Sequence, residues 1–234
     1  MLHMFSLSPV ESEALSLSIK VASWAVAVSL PPGIFIAWIL ARRDFIGKSI
    51  VNALVHLPLV VPPVVVGYTL LVLLGRNGPI GKILESAFGM TVAFTWKGAA
   101  IAAGIISFPL MVRAVRMSIE SIDARYELVA ATLGASRFRT FLQVTLPLAL
   151  PGVLTGAVLA FARCLGEFGA TITFVSNIPG ATRTLPLALY NAINTPGGDE
   201  AALRIVMISV GLAVSALLLS ELLARRITRR ITGV

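Results

Sequence analysis

The sequence predicts an all-α membrane protein with five transmembrane helices and one short helix outside the bilayer. Hydrophobic residues make up 57% of the 234 residues and charged residues only 13%, whereas soluble domains carry roughly 25% charged residues. The apolar residues fall in long continuous runs, which excludes a transmembrane barrel with its short alternating segments. Five of these runs reach the about 20 residues that a helix needs to cross a bilayer.

The five spans form one transmembrane domain that covers residues 15–223. We expect a periplasmic segment before it at residues 1–14 and a cytoplasmic basic tail after it at residues 224–234. The transmembrane helices are expected at about 17–41, 49–75, 92–116, 145–166 and 201–223.

The orientation follows from the basic residues between the spans. Twelve of them fall in segments that a five-span topology places on one side, against five on the other. Cytoplasmic segments of membrane proteins are enriched in lysine and arginine. The N-terminus is therefore expected outside and the C-terminus in the cytoplasm. The twelve are Arg42, Arg43, Lys48, Arg113, Arg116, Arg125, Arg137, Arg139, Arg225, Arg226, Arg229 and Arg230.

Helix-breaking residues fall inside three of the spans. Prolines are common in membrane helices, but helices that they break can also line a path, because freed carbonyls are tolerated only against protein or water. The clustering of Pro58, Pro62 and Pro63 within the second span favours the path for Pro62 and Pro63. Pro58 and Pro62-Pro63 are expected to interrupt the second span, and Pro31-Pro32 and Pro109 the first and third.

Small residues recur at four-residue spacing in the fourth span, at Gly152, Gly156 and Ala160. This spacing indicates that the span packs closely against protein. The stretch that follows, 164–200, is rich in glycine, proline, threonine and asparagine. It is too polar to cross the bilayer, so we expect an outer gate or re-entrant segment there, with an amphipathic helix near 185–193.

Arg163 and Glu167 form the one charge pair that stands out at the end of a span. Four residues apart, they lie on one face of a helix. Charges at membrane depth are costly and face a cavity or a partner. Two interpretations stay open: a neutralised pair that locks the end of the span, or a gate pair in which Arg163 attracts an anion and Glu167 restrains it.

The sequence offers no enzyme site. Gly47-Lys48-Ser49 ends like a phosphate-binding loop, but Arg42 stands where that loop needs its first glycine. The lone cysteine and two histidines make no catalytic or metal-binding arrangement. We therefore expect no catalytic residue, no metal and no cofactor on this chain. The net charge of +8 gives no nucleic-acid surface either, because the basic residues cluster at the ends of spans.

The stretch 127–147, ELVAATLGASRFRTFLQVTLP, separates two strongly apolar spans. It resembles the cytoplasmic coupling-loop motif of ABC importer permeases, with Gly134, Val144, Leu146 and Pro147 at the family spacing. The start of the motif differs, because Leu128 stands where the family has its glutamate and Glu127 lies one residue earlier. An ordinary basic loop with an amphipathic helix on the membrane surface is the alternative.

Three further stretches, 56–81, 107–123 and 162–190, resemble the permease subunits of molybdate ABC transporters. The resemblance extends from about residue 11 to 223. It implies the type I importer permease fold and a bacterial inner-membrane location. It also implies a homodimer, two separate ATP-binding subunits that carry ATP and Mg, and a periplasmic molybdate-binding protein.

The resemblance also implies a coupling helix at about 125–137 that fits a groove of the ATPase. The expected coupling residues are Glu127, Ala130, Ala131, Gly134 and Ala135. Gly134 has a physical reason there, since it can adopt a positive φ or end the helix. Sulfate, thiosulfate or tungstate stay open as the transported anion. An anion transporter that works without ATP is the alternative from another class.

Overall fold

The structure is a computed structural model that describes the backbone of residues 8–232 and the side chains of residues 8–219 and 222. Every regular element in this part of the chain is helical. The helices are α1 Pro9–Arg42, α2 Lys48–Val60, α3 Pro63–Leu74, α4 Pro79–Phe88, α5 Trp96–Glu120, α6 Ala124–Thr132, α7 Arg137–Thr140, α8 Leu146–Leu165, α9 Gly169–Val175, α10 Leu185–Ile193 and α11 Asp199–Thr232, with a π-helical turn at Phe141–Thr145.

The helices confirm an all-α membrane protein. Four stretches in the described residues are long and apolar enough to cross a bilayer: Pro9–Arg42, Trp96–Glu120, Arg137–Leu165 and Asp199–Leu219. A fifth span is possible only as a pair, because α2 and α3 meet at an angle of 110°. The predicted span at 49–75 is therefore two helices rather than one continuous helix, and the expected interruption at Pro62-Pro63 is confirmed. Val61 and Pro62 are extended, and Pro63 opens α3.

The first span is longer than predicted. Helix α1 begins at Pro9 because Ser8 and Glu11 form a capping box: the Ser8 N–H donates to the Glu11 carboxylate at 2.8 Å, and the Ser8 hydroxyl accepts from the Glu11 N–H at 3.3 Å. The expected N-terminal segment 1–14 is thus helical from residue 9, and residues 1–7 lie outside the described part.

The last span also continues past its predicted end. Helix α11 runs from Asp199 through Thr232, so the expected tail at 224–234 is helical as far as it is described.

Pro31, Pro32 and Pro109 lie inside continuous helices, which makes the predicted interruptions of the first and third spans wrong. Within the described residues the second span alone is broken, at Pro62-Pro63; Pro58 lies inside α2, so the interruption expected there is wrong.

Helix α5 lies between α1 and α8 at the centre of the bundle. Its side chains Ile106, Met111, Val112 and Val115 are fully buried. Close approach requires small residues: a Cβ on Gly156 would come within 3.0 Å of the Met111 carbonyl oxygen. The prediction that the fourth span packs against protein is confirmed.

The two ends of the bundle are held by different polar contacts. At the end where α1 begins, Arg204 of α11 pairs with Glu11 at 2.9 Å, and the Ser18 hydroxyl accepts the Leu185 N–H at 2.8 Å. At the end where α1 finishes, Arg42 contacts Glu127. We call this second end the coupling end, because it carries the predicted coupling residues. We call the junction of α8, α9 and α3 the gate junction, because the predicted gate residues lie there.

Candidate coupling and gate sites

Helix α6 at the coupling end is shorter than the predicted 125–137 and stops at Thr132. It ends in a Schellman motif, in which the Ala135 N–H donates to the Ala130 carbonyl and the Gly134 N–H to the Ala131 carbonyl, both at 3.0 Å. Gly134 has a φ of +82°, in the left-handed region that favours glycine. The predicted role of Gly134 as the residue that ends the helix is confirmed.

The outer face of α6 is apolar and exposed. Leu128, Val129 and Leu133 are 63%, 59% and 82% exposed, and Phe138 just beyond is 64% exposed. No residue of α6 is buried. An apolar patch of this kind on a short helix outside the spans marks a surface for a partner or a membrane interface.

Glu127 points away from this face, into the protein. Its Oε1 accepts a hydrogen bond from Arg42 Nε at 2.9 Å and another from the Thr145 hydroxyl at 2.8 Å. Arg42 also donates from Nη2 to the Ile122 carbonyl at 2.9 Å. The group joins the last residue of α1, helix α6 with its preceding turn, and the π-helical turn before α8. We call Arg42, Glu127 and Thr145 the Arg42 clasp.

A small cavity of about 230 Å³ lies behind α6. Ala131 and Ala135 line it together with Trp38, Arg137 and Phe141. The rings of Trp38 and Phe141 pack at 4.8 Å between centroids. Three of the five predicted coupling residues, Glu127, Ala131 and Ala135, line this cavity. The other two, Ala130 and Gly134, take part in the hydrogen bonds that end α6.

Arg163 and Glu167 lie together at the gate junction. Arg163 Nη1 is 2.8 Å from Glu167 Oε2, and the Glu167 side chain is only 2% exposed. The second carboxylate oxygen accepts the Ala170 N–H at 2.9 Å. Glu167 lies beyond the end of α8 at Leu165, so its carboxylate ties the end of α8 to the first turn of α9.

The bend at Pro62 and Pro63 lies against the same junction. A Cβ on Gly169 would come within 2.9 Å of Pro63 Cβ, and one on Gly67 within 2.5 Å of the Ala170 carbonyl oxygen. Helices α3 and α9 therefore touch backbone to backbone. The structure brings all four predicted gate residues, Pro62, Pro63, Arg163 and Glu167, to one region of the bundle.

The loop after α9 carries a strained residue that the sequence did not indicate. Ser176 has φ +63° and ψ −169°, in a region occupied almost only by glycine. Thr182 holds it there: its hydroxyl donates to the Ser176 carbonyl at 3.0 Å and accepts the Ile178 N–H at 2.9 Å.

The amphipathic helix predicted near 185–193 is confirmed as α10.

Arg42 and Thr145 were missed as site residues. Arg42 lies 85 residues from Glu127, and from the sequence it was counted among the cytoplasmic basic residues without being assigned to a site. A usable signal did exist, because an arginine at the end of an uncharged span needs an acidic partner if it turns inward. Thr145, in contrast, offers no sequence signal.

A larger cleft of about 940 Å³ lies between α1, α2 and α5. Its lining is nearly all apolar, with Trp24, Pro32, Trp96 and Phe108 among its residues and Lys97 as its one charged side chain. A dianion needs several donors in place of its water, and the lining of this cleft in the single chain supplies few of them.

The comparisons with known proteins agree with this architecture. The family model of binding-protein-dependent transport system inner membrane components matches residues 33–229. The chain belongs to this family, and it is a multi-pass inner-membrane permease.

Among individual relatives, the chain is similar to two curated proteins along nearly its whole length. It is 59% identical over 215 residues to the Molybdenum transport system permease protein of Escherichia coli (strain K12). This alignment covers 92% of this chain and 94% of the relative. It is 54% identical over 221 residues to the protein of the same name from Haemophilus influenzae, covering 94% and 96%. The predicted resemblance to molybdate permeases is confirmed.

A solved structure has the same fold at low sequence identity. It is a bacterial alginate ABC transporter in complex with an alginate pentasaccharide-bound periplasmic protein, with a TM-score of 0.75 and 18% identity. The alignment covers 97% of this chain and 82% of that one. The fold prediction of an ABC importer permease is confirmed.

Proposed function

We propose that this chain is the membrane-spanning permease subunit of an ATP-driven importer of molybdate. The observation that carries the proposal is the 59% identity, across 92% of the chain, to a protein named for molybdenum transport. Selection among tetrahedral dianions resides mainly in the binding protein that delivers them, so sulfate, thiosulfate and tungstate are the alternative cargoes.

ATP hydrolysis takes place on a partner. The proposed partners are two ATP-binding subunits, which carry ATP and Mg and receive α6 of this chain in a groove. The exposed side chains Leu128, Leu133 and Phe138 support this docking, because apolar side chains outside the bilayer gain stability when a partner covers them. The coupling end then lies in the cytoplasm, with the C-terminus inside and the N-terminus outside.

A second copy of the chain completes the path. Helix α2 has no buried residue in the single chain, and α3 exposes Val64, Tyr68 and Val72. These faces support a homodimer in which the two α2–α3 pairs meet, with the bends at Pro62 and Pro63 beside the path. A periplasmic molybdate-binding protein delivers the anion from the opposite side.

In this arrangement the Arg163–Glu167 pair is a lock rather than an anion site. Both carboxylate oxygens of Glu167 have partners, Arg163 and the Ala170 N–H. The pair is thereby neutralised at membrane depth, which lowers its desolvation cost. It fixes the position of α9 beside α3, where a gate would open.

Uptake of radiolabelled molybdate tests the proposed cargo. Cells without their own molybdate system receive this chain with its ATP-binding subunit and binding protein, and control cells receive the two partners alone. We expect uptake only in cells with all three components, and we expect it to persist in excess sulfate. Uptake abolished by modest sulfate would identify sulfate as the transported anion, and stronger uptake of labelled tungstate would identify tungstate.

A further inference from the structure

The Arg42 clasp lies between the surface proposed to receive the ATPase and two of the central helices. Glu127 Oε1 accepts hydrogen bonds from α1, through Arg42, and from the turn that precedes α8, through Thr145. The side chains of Arg42 and Glu127 are 17% and 24% exposed, and Thr145 is 1% exposed. Thr145 is thus shielded from water, while the ion pair keeps partial access to it.

The orientation of Glu127 separates it from its neighbours on α6. Leu128 and Val129 point outward and are exposed, whereas the Glu127 carboxylate has its partners within this chain. A partner docked on the outer face would meet the apolar side chains rather than this carboxylate. Glu127 is thus placed to hold α6 against the bundle.

The π-helical turn at Phe141–Thr145 fixes the third member of the clasp. The Leu146 N–H donates to the Phe141 carbonyl five residues earlier, and Pro147 follows, which has no N–H to continue an α-helical pattern. Tightening this turn to an α-helix would remove one residue from it and rotate the residues on one side by roughly 100° relative to the other. Such a rotation would move the Thr145 hydroxyl away from Glu127.

We infer that Arg42, Glu127 and Thr145 act as positioning residues that carry a displacement of α6 into α1 and α8. The inference rests on the proposed function, in which an ATPase moves α6. The ion pair makes α6 and the end of α1 move together, and the Thr145 hydroxyl links the same carboxylate to the π-helical turn. Single turns of π-helix occur frequently at functional sites, and this one lies where the moving helix meets a span.

The experiment uses the whole complex of this chain, its ATP-binding subunit and its binding protein in proteoliposomes. The variants are Arg42→Met, Glu127→Gln, Thr145→Val and the double variant Arg42→Met/Glu127→Gln. Three quantities are measured: the ATP-binding subunit that co-purifies, the rate of ATP hydrolysis, and the molybdate transported per ATP. Lys48→Met is the matched control, since Lys48 is a cation at the same end of the bundle whose side chain pairs with the exposed Asp44 and does not contact the clasp.

We expect each single clasp variant to retain the ATP-binding subunit and its hydrolysis while molybdate transported per ATP falls about two- to thirtyfold, the range found when coupling networks are altered. The double variant should lose no more than the worse single variant, because both changes break the same bond. Lys48→Met should transport like the wild type.

Two results would overturn the inference. One is loss of the ATP-binding subunit from Glu127→Gln but not from Arg42→Met, which would make Glu127 a docking residue. The other is wild-type transport per ATP in all three single variants. If Arg42→Met fails to fold, Arg42→Lys is measured instead. It keeps the charge but cannot donate to Glu127 and to the Ile122 carbonyl at once, so molybdate transported per ATP should fall by less. Failure of the wild-type complex to take up molybdate would instead contradict the proposed function.

Discussion

The coupling end and the gate junction each contain an arginine–glutamate pair, and the two pairs differ in what they join. Arg163 and Glu167 are four residues apart, and the glutamate is almost fully buried. Arg42 and Glu127 are 85 residues apart and both are partly exposed. The local pair fixes one turn between adjacent helices, whereas the distant pair ties together elements from separate parts of the chain.

This difference matters for what each end can do. Arg163 is 32% exposed, but the Glu167 carboxylate is buried with a partner on each oxygen, so losing Arg163 would leave a buried charge without its counterion. The Glu127 carboxylate keeps some contact with water, at 24% exposed, so leaving it without Arg42 costs less than leaving Glu167 without Arg163. The gate junction is therefore the more rigid region of the molecule, and the coupling end is the region that can respond to a partner.

The largest effect is expected at the gate junction. Glu167→Gln leaves Arg163 without its counterion; since Arg163 is 32% exposed, we expect a cost of about 3 kcal/mol, the low end of the range for breaking a buried ion pair. The expected result is a large fall in the thermal unfolding temperature of the purified protein. Arg163→Gln/Glu167→Gln removes both charges and should recover part of the loss. Unchanged unfolding in Glu167→Gln would show that the pair does not lock the junction.

The next effect tests the contact between α3 and α9. Gly67→Ala places a methyl group within 2.5 Å of the Ala170 carbonyl oxygen, and overpacking of this kind costs typically about 1–3 kcal/mol. The unfolding temperature should fall, and transport should fall with it. Gly211→Ala is the control, because nothing lies within 4 Å of its added Cβ; equal behaviour of the two variants would contradict the close packing.

A smaller effect on stability is expected at the coupling end. Gly134→Leu forces a side chain into the left-handed region at φ +82°, at a cost of about 1–2 kcal/mol. The space around Gly134 is open, so the strain is conformational, and the variant should insert normally but transport less molybdate per ATP. Gly134→Asn tolerates the left-handed region better and should lose less. Normal transport per ATP in Gly134→Leu would argue against coupling through this loop.

The smallest effect is expected for an exposed pair at the same end. Asp44 is 99% exposed and pairs with Lys48 at 2.9 Å, and exposed pairs contribute little because solvent screens them. Asp44→Asn should leave the unfolding temperature and transport unchanged. A clear loss in this variant would mean that exposed charges at the coupling end contact a partner.

The sequence predicted most of the fold because long apolar runs are a strong signal. It located the spans, the amphipathic helix at 185–193 and the break at Pro62-Pro63. It erred where tertiary packing overrides a local signal, since Pro31, Pro32 and Pro109 stay inside continuous helices. It also placed the start of α1 too late, although Ser8 and Glu11 carry a recognisable capping box.

The candidate sites divide in the same way. The Arg163–Glu167 pair was predictable from its spacing, and the role of Gly134 from the flexibility of glycine. The Arg42 clasp was not, because a contact between residues 42, 127 and 145 depends on how α1, α6 and α8 meet. The π-helical turn that presents Thr145 is a product of packing and of Pro147 together.

The measurement that tests the central claim most directly is molybdate uptake into proteoliposomes with and without the ATP-binding subunit. The coupling of α6 to a partner ATPase predicts uptake only when that subunit and ATP are present, and it predicts reduced uptake per ATP in Gly134→Leu. Uptake that persists without the subunit would contradict the claim and would favour a transporter that works without ATP.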